Sequence, residues 1–173
     1  STYWESNGCL SYKSARYLFG DMKTPEAVTI YTYGTTTSPV ALPASPAISA
    51  DVMDTDDNFW KVYDFTFIDG KPYDRSAFEA GLAEAVISES IARRVFGSAN
   101  VAGKELLINY VPYKVVGVVK DVSTLATGAY ATVWVPFTST NIVSDGWNGD
   151  IMGSLAVTIL ARDRKDFADI KQE

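Results

Sequence analysis

The fold is decided by the stretch AVISESIARRVFGSANVAGKELLINYVPYKVVGVVKDV, residues 85–122. Its first residues, Ala85–Ile87, form an apolar run that predicts a buried strand. Ser88 is a favoured N-cap residue and Gly97 a favoured C′ residue, so the segment between them is predicted to form a short helix. The stretch therefore opens as a strand that leads directly into a capped helix.

The second half of the stretch predicts a β-hairpin. Two runs rich in β-branched and aromatic residues, Lys104–Asn109 and Tyr113–Lys120, flank a short connection that holds Val111 and Pro112. Gly117 interrupts the second run, which indicates a β-bulge or close packing at that point. The whole stretch is well formed but carries no evident catalytic group.

The segments before this stretch are predicted to mix regular and irregular structure. Residues 11–22 have apolar side chains at helical spacing, and residues 26–34 alternate as a strand does. Residues 35–52 contain three prolines, so we predict an exposed loop or edge hairpin there. Residues 59–63 are predicted to form a short helix.

Four carboxylates near that helix suggest a calcium site as one interpretation: Asp51, Asp54, Asp56 and Asp57. Their spacing does not match an EF-hand loop, and no Glu follows at the twelfth position. We therefore interpret them as acids that stabilise the positive end of the helix.

The order of the elements predicts an α+β fold with two lobes. Residues 131–139 and 154–163 are predicted strands, and residues 164–173 begin a helix, at which the chain stops as a fragment would. The two ends share a helix and a strand, whereas the middle is mostly β. We predict one discontinuous α/β lobe from residues 1–58 and 139–173, and an inserted mixed, mostly β lobe from residues 59–138.

Composition excludes several classes of function. The chain has 173 residues, 47% of them hydrophobic, and a net charge of −6, which argues against a nucleic-acid partner. It has no His, so no Ser-His-Asp or Cys-His arrangement is available. Its single Cys, Cys9, cannot form an internal disulfide or a thiolate metal cluster. No apolar run reaches about 18 residues, so no transmembrane helix is expected within the chain.

No catalytic, cofactor-binding or metal-binding residue is predicted. The segment from Gly97 to Glu105 lacks the Walker spacing, and Ser88 lacks both flanking glycines and a His base. A pair of carboxylates acting as acid and base stays open, because the chain has 21 acids. Two aromatic residues in or beside loops, Trp134 and Trp147, are candidate contacts for a partner protein.

The order of these motifs resembles a known family, the extracytoplasmic periplasmic core domains of MacB-type ABC transporter permeases. The resemblance runs from about Phe59 to Thr138. It includes Phe65, Phe67 and Tyr73 before the central stretch and Val133, Val135 and Phe137 after it. The residues that we take as the structural motif are Gly70, Ser88, Phe96, Gly97, Gly103, Tyr113, Gly117 and Pro136.

The resemblance implies a periplasmic domain of a permease that is related in plan to lipoprotein-release and FtsX-like permeases. It implies a porter-like lobe made from both ends and anchoring in the inner membrane by transmembrane helices absent from this chain. The implied partners are a second permease copy, a cytoplasmic ATPase subunit or domain, and a periplasmic adaptor or substrate. The implied function is non-catalytic coupling of ATP hydrolysis to export. A ligand-sensing or peptide- or antibiotic-binding domain is the alternative, and a carboxylate-based hydrolase is a third.

Overall fold

The computed structural model describes residues 2–8, for which only the backbone is considered, together with residues 17, 25–126, 128–140 and 155–161. These residues contain three short helices: α1 (Phe59–Val62), α2 (Arg75–Glu79) and α3 (Glu89–Phe96). The strands of the described residues are β1 (Thr2–Gly8), β2 (Ala27–Thr32), β3 (Thr36–Ala41), β4 (Ile48–Thr55), β5 (Phe67–Gly70), β6 (Glu84–Ser88), β7 (Glu105–Ile108), β8 (Val111–Val119), β9 (Val133–Pro136) and β10 (Leu155–Ala161).

Six of the strands close into a barrel. They are hydrogen-bonded in the order β4–β3–β7–β8–β6–β9, and β9 then pairs with β4 in parallel. Closure satisfies the backbone groups of both edge strands, which an open sheet would leave unpaired. The prediction of a mixed, mostly β fold is confirmed by this sheet, which contains both parallel and antiparallel pairs.

The barrel interior is a packed apolar core. Alternate side chains along the strands point inward, as the two-residue period of a strand requires. They include Val40, Ala85, Leu106, Val115 and Val133, all fully or almost fully buried. Helix α3 packs Ile91 and Ala92 against the same core. The barrel is therefore a solid body rather than a channel.

The predicted caps of α3 are confirmed. The Ser88 hydroxyl accepts a hydrogen bond from the backbone N–H of Ile91, and Gly97 ends the helix with φ of 74°. Such a left-handed conformation favours glycine.

Three strands from the two ends of the chain extend the sheet beyond the barrel. Strand β10 lies between β1 and β2 and is antiparallel to both. Its side chains are buried along its whole length. The terminal strands, β1, β2 and β10, join the barrel where Tyr31 of β2 pairs with Thr55 of β4. Strands β2 and β3 run in the same direction along one side of β4, to which both are antiparallel.

The segment of residues 35–52 is a hairpin, but it is not at an edge. Strand β3 pairs with β4 on one side and with β7 on the other. Pro39 lies inside β3, and its carbonyl accepts a hydrogen bond from the Asn109 N–H at 2.8 Å. The prediction of an exposed loop or edge hairpin is corrected accordingly, since barrel closure places these strands between neighbours.

The β7–β8 hairpin is confirmed, with a tighter turn than predicted. Asn109 and Tyr110 both adopt positive φ, 48° and 67°, and form the turn themselves. Two consecutive residues with positive φ are typical of a type I′ hairpin turn. Val111 and Pro112 therefore belong to β8 and not to the connection.

Close backbone packing explains why position 117 is a glycine. Its position lies beside a register shift in the β6–β8 pairing, and it faces Gly70 of β5. A Cβ atom on Gly117 would lie 2.7 Å from the Lys71 carbonyl oxygen and 2.7 Å from the Phe67 ring. The predicted close packing is thus confirmed, and it lets β5 lie directly on β8.

The predicted helices at residues 11–22, apart from residue 17, and at residues 164–173 lie outside the described residues. The division into lobes of residues 1–58 with 139–173 and of residues 59–138 stays a prediction. Strand pairing nevertheless places β3 and β4 in the same barrel as β6 to β9. No helix within the described ranges is long and apolar enough to cross a membrane.

Candidate functional site

One end of the barrel opens into a cavity of about 370 Å³, which we call the mouth cavity. Its walls come from β3, β4, the β7–β8 hairpin, β9 and the 3₁₀ turn Phe137–Ser139. Four apolar side chains line it together with hydroxyl groups, one amide and one carboxylate. The described residues that line it are Thr36, Ser38, Val52, Asp54, Ile108, Asn109, Val111, Tyr113, Val135, Ser139 and Thr140.

Asp54 supplies the carboxylate of the mouth cavity. It lies two residues beyond Val52 on β4, so both side chains point to the inner face of the barrel. The Asp54 backbone exchanges hydrogen bonds with the Thr32 hydroxyl, whereas its carboxylate has no hydrogen-bond partner among the described residues. Burial raises its pKa to about 6. A carboxylate of this kind lacks the compensation that buried charges normally have.

Tyr113 lies across the cavity from the carboxylate. Its ring is almost fully buried, and its hydroxyl lies 3.2 Å from the Ser139 hydroxyl. Burial, together with the charge of Asp54, raises the pKa of Tyr113 above its usual value of 10. The phenol is therefore neutral at any ordinary pH, and Asp54 is the one ionised side chain among the cavity-lining residues of the described structure.

A second polar cluster joins the terminal strands to the barrel. The Asp56 carboxylate, just after β4, accepts hydrogen bonds from the Thr29 hydroxyl at 2.6 Å and from the backbone N–H of Ile30 at 2.9 Å. It also accepts one from the backbone N–H of Phe59 at 3.0 Å, and so caps α1. Burial raises the pKa of Asp56 to about 7, against the opposing effect of these hydrogen bonds.

Three hydroxyl groups complete this connection. The hydroxyls of Tyr31 and Tyr63 lie 2.8 Å apart, and each lies within 3.0 Å of the Thr158 hydroxyl on β10. We call the five residues Thr29, Tyr31, Asp56, Tyr63 and Thr158 the junction. They tie β2 and β10 to the end of β4 and to α1 at a place where strand pairing itself is narrow.

The four acids near α1 thus have different roles. Asp56 accepts a hydrogen bond from the first N–H group of α1, which agrees with the predicted role for that one acid, and Asp54 lines the mouth cavity, which the sequence did not indicate. Only the alternation along β4 was available to find Asp54, and it required knowing that β4 lies in a closed barrel. Asp56 does not line the cavity, so the carboxylates of Asp54 and Asp56 do not form a catalytic pair there.

A larger surface groove, of about 730 Å³, lies beside β8 and α2. It contains both signs of charge, with Lys71 and Lys114 close to Asp74 and Glu84. Burial raises the pKa of Glu84, and the two lysines oppose that effect. The groove is therefore electrostatically compensated, unlike the mouth cavity.

The domain matches one family model along nearly all of its length. Residues 10–173 match the model described as the MacB-like periplasmic core domain. The chain belongs to this family. The periplasmic core domain is the extracytoplasmic part of a MacB-type ABC transporter permease, so the resemblance identified from the motif order is confirmed.

Curated relatives of the periplasmic core domain carry one name. The macrolide export ATP-binding/permease protein MacB of Pasteurella multocida is 24% identical over 122 residues, covering 70% of this chain and 18% of the relative. The protein of the same name from Burkholderia cenocepacia is 31% identical over 94 residues, covering 53% of this chain and 14% of the relative. The chain therefore spans less than a fifth of the length of these relatives.

Solved structures share the fold of the periplasmic core domain. The periplasmic region of MacB from Actinobacillus actinomycetemcomitans has a TM-score of 0.71 at 18% identity, covering 94% of this chain and 70% of that one. The extracellular domain of the ABC-type transporter YknZ from Gram-positive bacteria has a TM-score of 0.70 at 14% identity, covering 93% and 78%.

The motif residues of the periplasmic core domain lie at structural positions. Pro136 ends β9, Phe96 packs at the rim of the barrel core, and Gly103 turns the chain with φ of 91°. Gly70 also has positive φ, 62°, and its α-carbon lies against the carbonyl of Val116. Tyr113 alone among the predicted motif residues lines the mouth cavity.

Trp134, one of the two predicted partner contacts, is not at the surface of the described domain. Trp134 has no exposed surface; its ring packs edge-on against Phe65, with centroids 5.3 Å apart, and against Trp60 at 6.0 Å. The outward face of β9 is covered, so Trp134 is a core residue in this conformation. Trp147 lies outside the described residues. The exposed apolar side chains beside the mouth cavity are instead those of Tyr110 and Val111, at the hairpin turn.

Proposed function

We propose that this periplasmic core domain is a non-catalytic element that couples cytoplasmic ATP hydrolysis to substrate export or to the engagement of a periplasmic partner. The observation that carries the proposal is the pairing of the two ends of the chain. Strands β1 and β10 pair through seven consecutive residue pairs, from Thr2 with Ala161 to Gly8 with Leu155. The chain therefore enters and leaves the sheet at the same place.

Such an arrangement supports transmission of motion. A displacement applied at Thr2 and Ala161 acts along β1 and β10 and reaches the barrel through β2 and the junction. The barrel interior is close-packed, and packed cores move as bodies rather than deforming continuously. The junction supplies the polar contacts between the terminal strands and the barrel, and apolar packing of Tyr31 and Ala156 in the same cluster as Trp134 accompanies them.

The proposed setting follows from the family. We infer that membrane-spanning helices precede and follow this domain and hold it at the outer side of the cytoplasmic membrane. In that setting two permease copies act with a cytoplasmic ATPase subunit or domain, and the barrel faces a periplasmic adaptor or substrate.

The first experiment removes the domain from the full permease. Because Thr2 and Ala161 are paired neighbours, a short linker of about four residues replaces residues 3–160 without separating the flanking segments. We expect the shortened permease to retain ATP hydrolysis with its ATPase, while export falls to the level of an ATPase-inactive transporter. Retained export would overturn the proposal.

A finer experiment weakens the junction in the full transporter. Asp56→Asn removes the charge and disturbs three hydrogen bonds, whereas Asp64→Asn, at an exposed position nearby in sequence, serves as the matched control. We expect Asp56→Asn to lower the amount exported per ATP hydrolysed, and Asp64→Asn to leave it unchanged. Equal coupling in the two variants would contradict a transmitting role for the junction.

A second candidate function is ligand sensing, and the mouth cavity favours it. The cavity volume lies within the range of small-molecule sites, and one uncompensated carboxylate gives it a defined chemistry. A ligand that binds only the folded domain raises its melting temperature. A thermal-shift screen that finds no ligand for the wild-type domain would leave coupling as the better account.

A further inference from the structure

The mouth cavity has the composition of a binding site for an organic cation. Val52, Ile108, Val111 and Val135 give it apolar walls, and Asp54 places one negative charge on the same surface. None of the described residues in its lining is Lys or Arg, so no positive side chain of the described lining neutralises this charge. An apolar site with a single carboxylate complements a cation attached to an apolar body.

Hydroxyl groups around the carboxylate add hydrogen-bond acceptors for such a cation. Thr36 and Ser38 line the cavity from β3, and Tyr113 and Ser139 line it from β8 and the 3₁₀ turn. An ammonium group has several N–H donors and needs more than one acceptor to replace its water shell. Calcium sites, by contrast, usually use several carboxylates among six to eight oxygen ligands, and the described lining offers one carboxylate.

The volume of the mouth cavity limits the size of the ligand. The volume of about 370 Å³ corresponds to roughly a dozen groups of the size of a water molecule. A short unbranched chain with a terminal ammonium group fits such a volume. Tyr110 and Val111 stand exposed at the rim, where they extend the apolar surface toward whatever carries that chain.

We propose that the mouth cavity binds an ammonium group on a short apolar chain, with the Asp54 carboxylate as its counter-ion. The chain belongs either to a free alkylamine or to a lysine side chain of a peptide, and these two sources present the same chemistry to the cavity. This inference does not depend on the proposed coupling role, since a bound cation is compatible with either candidate function.

The experiment titrates the 173-residue domain, labelled with ¹⁵N, and follows its amide resonances by NMR. The probes are hexylammonium chloride and the capped peptide acetyl-Gly-Lys-Gly-amide, with hexan-1-ol as the uncharged analogue. We expect hexylammonium to shift the amide signals of Tyr113 and Ser139 with a dissociation constant on the order of 1 mM. Binding of the peptide as well would identify a lysine side chain as an acceptable source, and binding of the amine alone would identify free amines.

Charge variants and pH give the decisive comparison. Asp54→Asn should weaken hexylammonium binding at least about tenfold, because it removes the counter-ion while keeping the side-chain shape. Asp57→Asn, outside the cavity lining, should leave the affinity unchanged. Lowering the pH from 7.5 to 5 should weaken binding to the wild type about tenfold, because the pKa of Asp54 is about 6 and the facing Tyr113 stays neutral.

The proposal is overturned by any of three results. These are the absence of saturable shifts up to 10 mM amine, equal affinity of the wild type and Asp54→Asn, or equal affinity of hexan-1-ol and hexylammonium for the wild type. Amide spectra of Asp54→Asn recorded without ligand establish that the variant is folded. The removal of a buried charge without a partner should leave the fold intact.

Discussion

Replacing Asp56 by alanine should destabilise the domain in a way that depends on pH. Asp56 accepts hydrogen bonds from two backbone N–H groups, those of Ile30 and Phe59, in residues that are 5% and 0% exposed. Alanine leaves both donors buried without this acceptor, at about 1–3 kcal/mol each. We therefore expect the free energy of unfolding to fall by about 4 kcal/mol at pH 5, a large part of the usual stability of a domain.

The dependence of this loss on pH follows from the raised pKa of Asp56. Asp56 has a pKa of about 7 in the folded state and an ordinary pKa of 3.8 in the unfolded chain, so the folded state binds more protons between these limits. Its stabilising contribution is complete below pH 3.8 and is lost as the pH rises through 7. Between pH 5 and pH 8 the wild type should lose about 3 kcal/mol through this group. Asp56→Ala has no carboxyl group at this position and does not undergo this loss. The free energies of unfolding of the two proteins should therefore differ by only about 1 kcal/mol at pH 8.

Urea unfolding followed by tryptophan fluorescence measures both quantities, since Trp134 is fully buried and reports on the core. Asp54 and Glu84 also have raised pKa values, but they are common to both proteins and cancel in the comparison. Asp64→Ala, at an exposed position, should change the free energy of unfolding by less than about 0.5 kcal/mol at either pH. The reasoning is refuted if the difference between wild type and Asp56→Ala is the same at pH 5 and pH 8.

Three further changes test single features of the fold. Gly70→Ala should lower the free energy of unfolding, measured in urea, by more than about 3 kcal/mol, since its Cβ would lie 2.0 Å from the Val116 carbonyl oxygen. Gly97→Ala, whose Cβ would have nothing within 4 Å, should lower it by about 1 kcal/mol. Equal losses would contradict the close approach at Gly70. Ser88→Ala should lower the free energy of unfolding by about 1 kcal/mol through loss of the α3 cap, and an unchanged urea midpoint would argue against the cap. Asp54→Asn should stabilise the domain at pH 8 by about 1–2 kcal/mol, after allowance for its partial exposure, and should have little effect at pH 4; a loss of stability at pH 8 in thermal unfolding would show that its carboxylate has a partner.

Local sequence determined the elements that depend on neighbouring residues. Three elements agree with the sequence patterns that predicted them. They are the strand Glu84–Ser88, the helix that begins after Ser88 and ends before Gly97, and the β7–β8 hairpin. Each forms through contacts only a few residues apart, and its caps and turns have strong residue preferences. The order of these elements was also sufficient for the family, because order and spacing survive when individual residues change.

Pairing between strands that are distant in sequence decided the remaining features of the fold. Residues 35–52 have the composition of an exposed hairpin, yet β3 pairs with β7, and β4 pairs with β9 about eighty residues further along the chain. A strand pattern specifies which face of a strand is apolar but not which strand lies beside it. The interior position of Pro39 and the burial of Trp134 both follow from barrel closure, which no local pattern encodes.

The candidate site shows the same division. The sequence by itself determined that the chain has no histidine, one cysteine and no phosphate loop, and the order of its motifs indicated the family of permease domains. Only the tertiary structure separated Asp54 from Asp56, two residues apart in sequence, by placing one carboxylate in a cavity and the other among three donors. The physical reason is that the chemistry of a carboxylate depends on the donors and the solvent around it, and those come from strands that are distant in sequence.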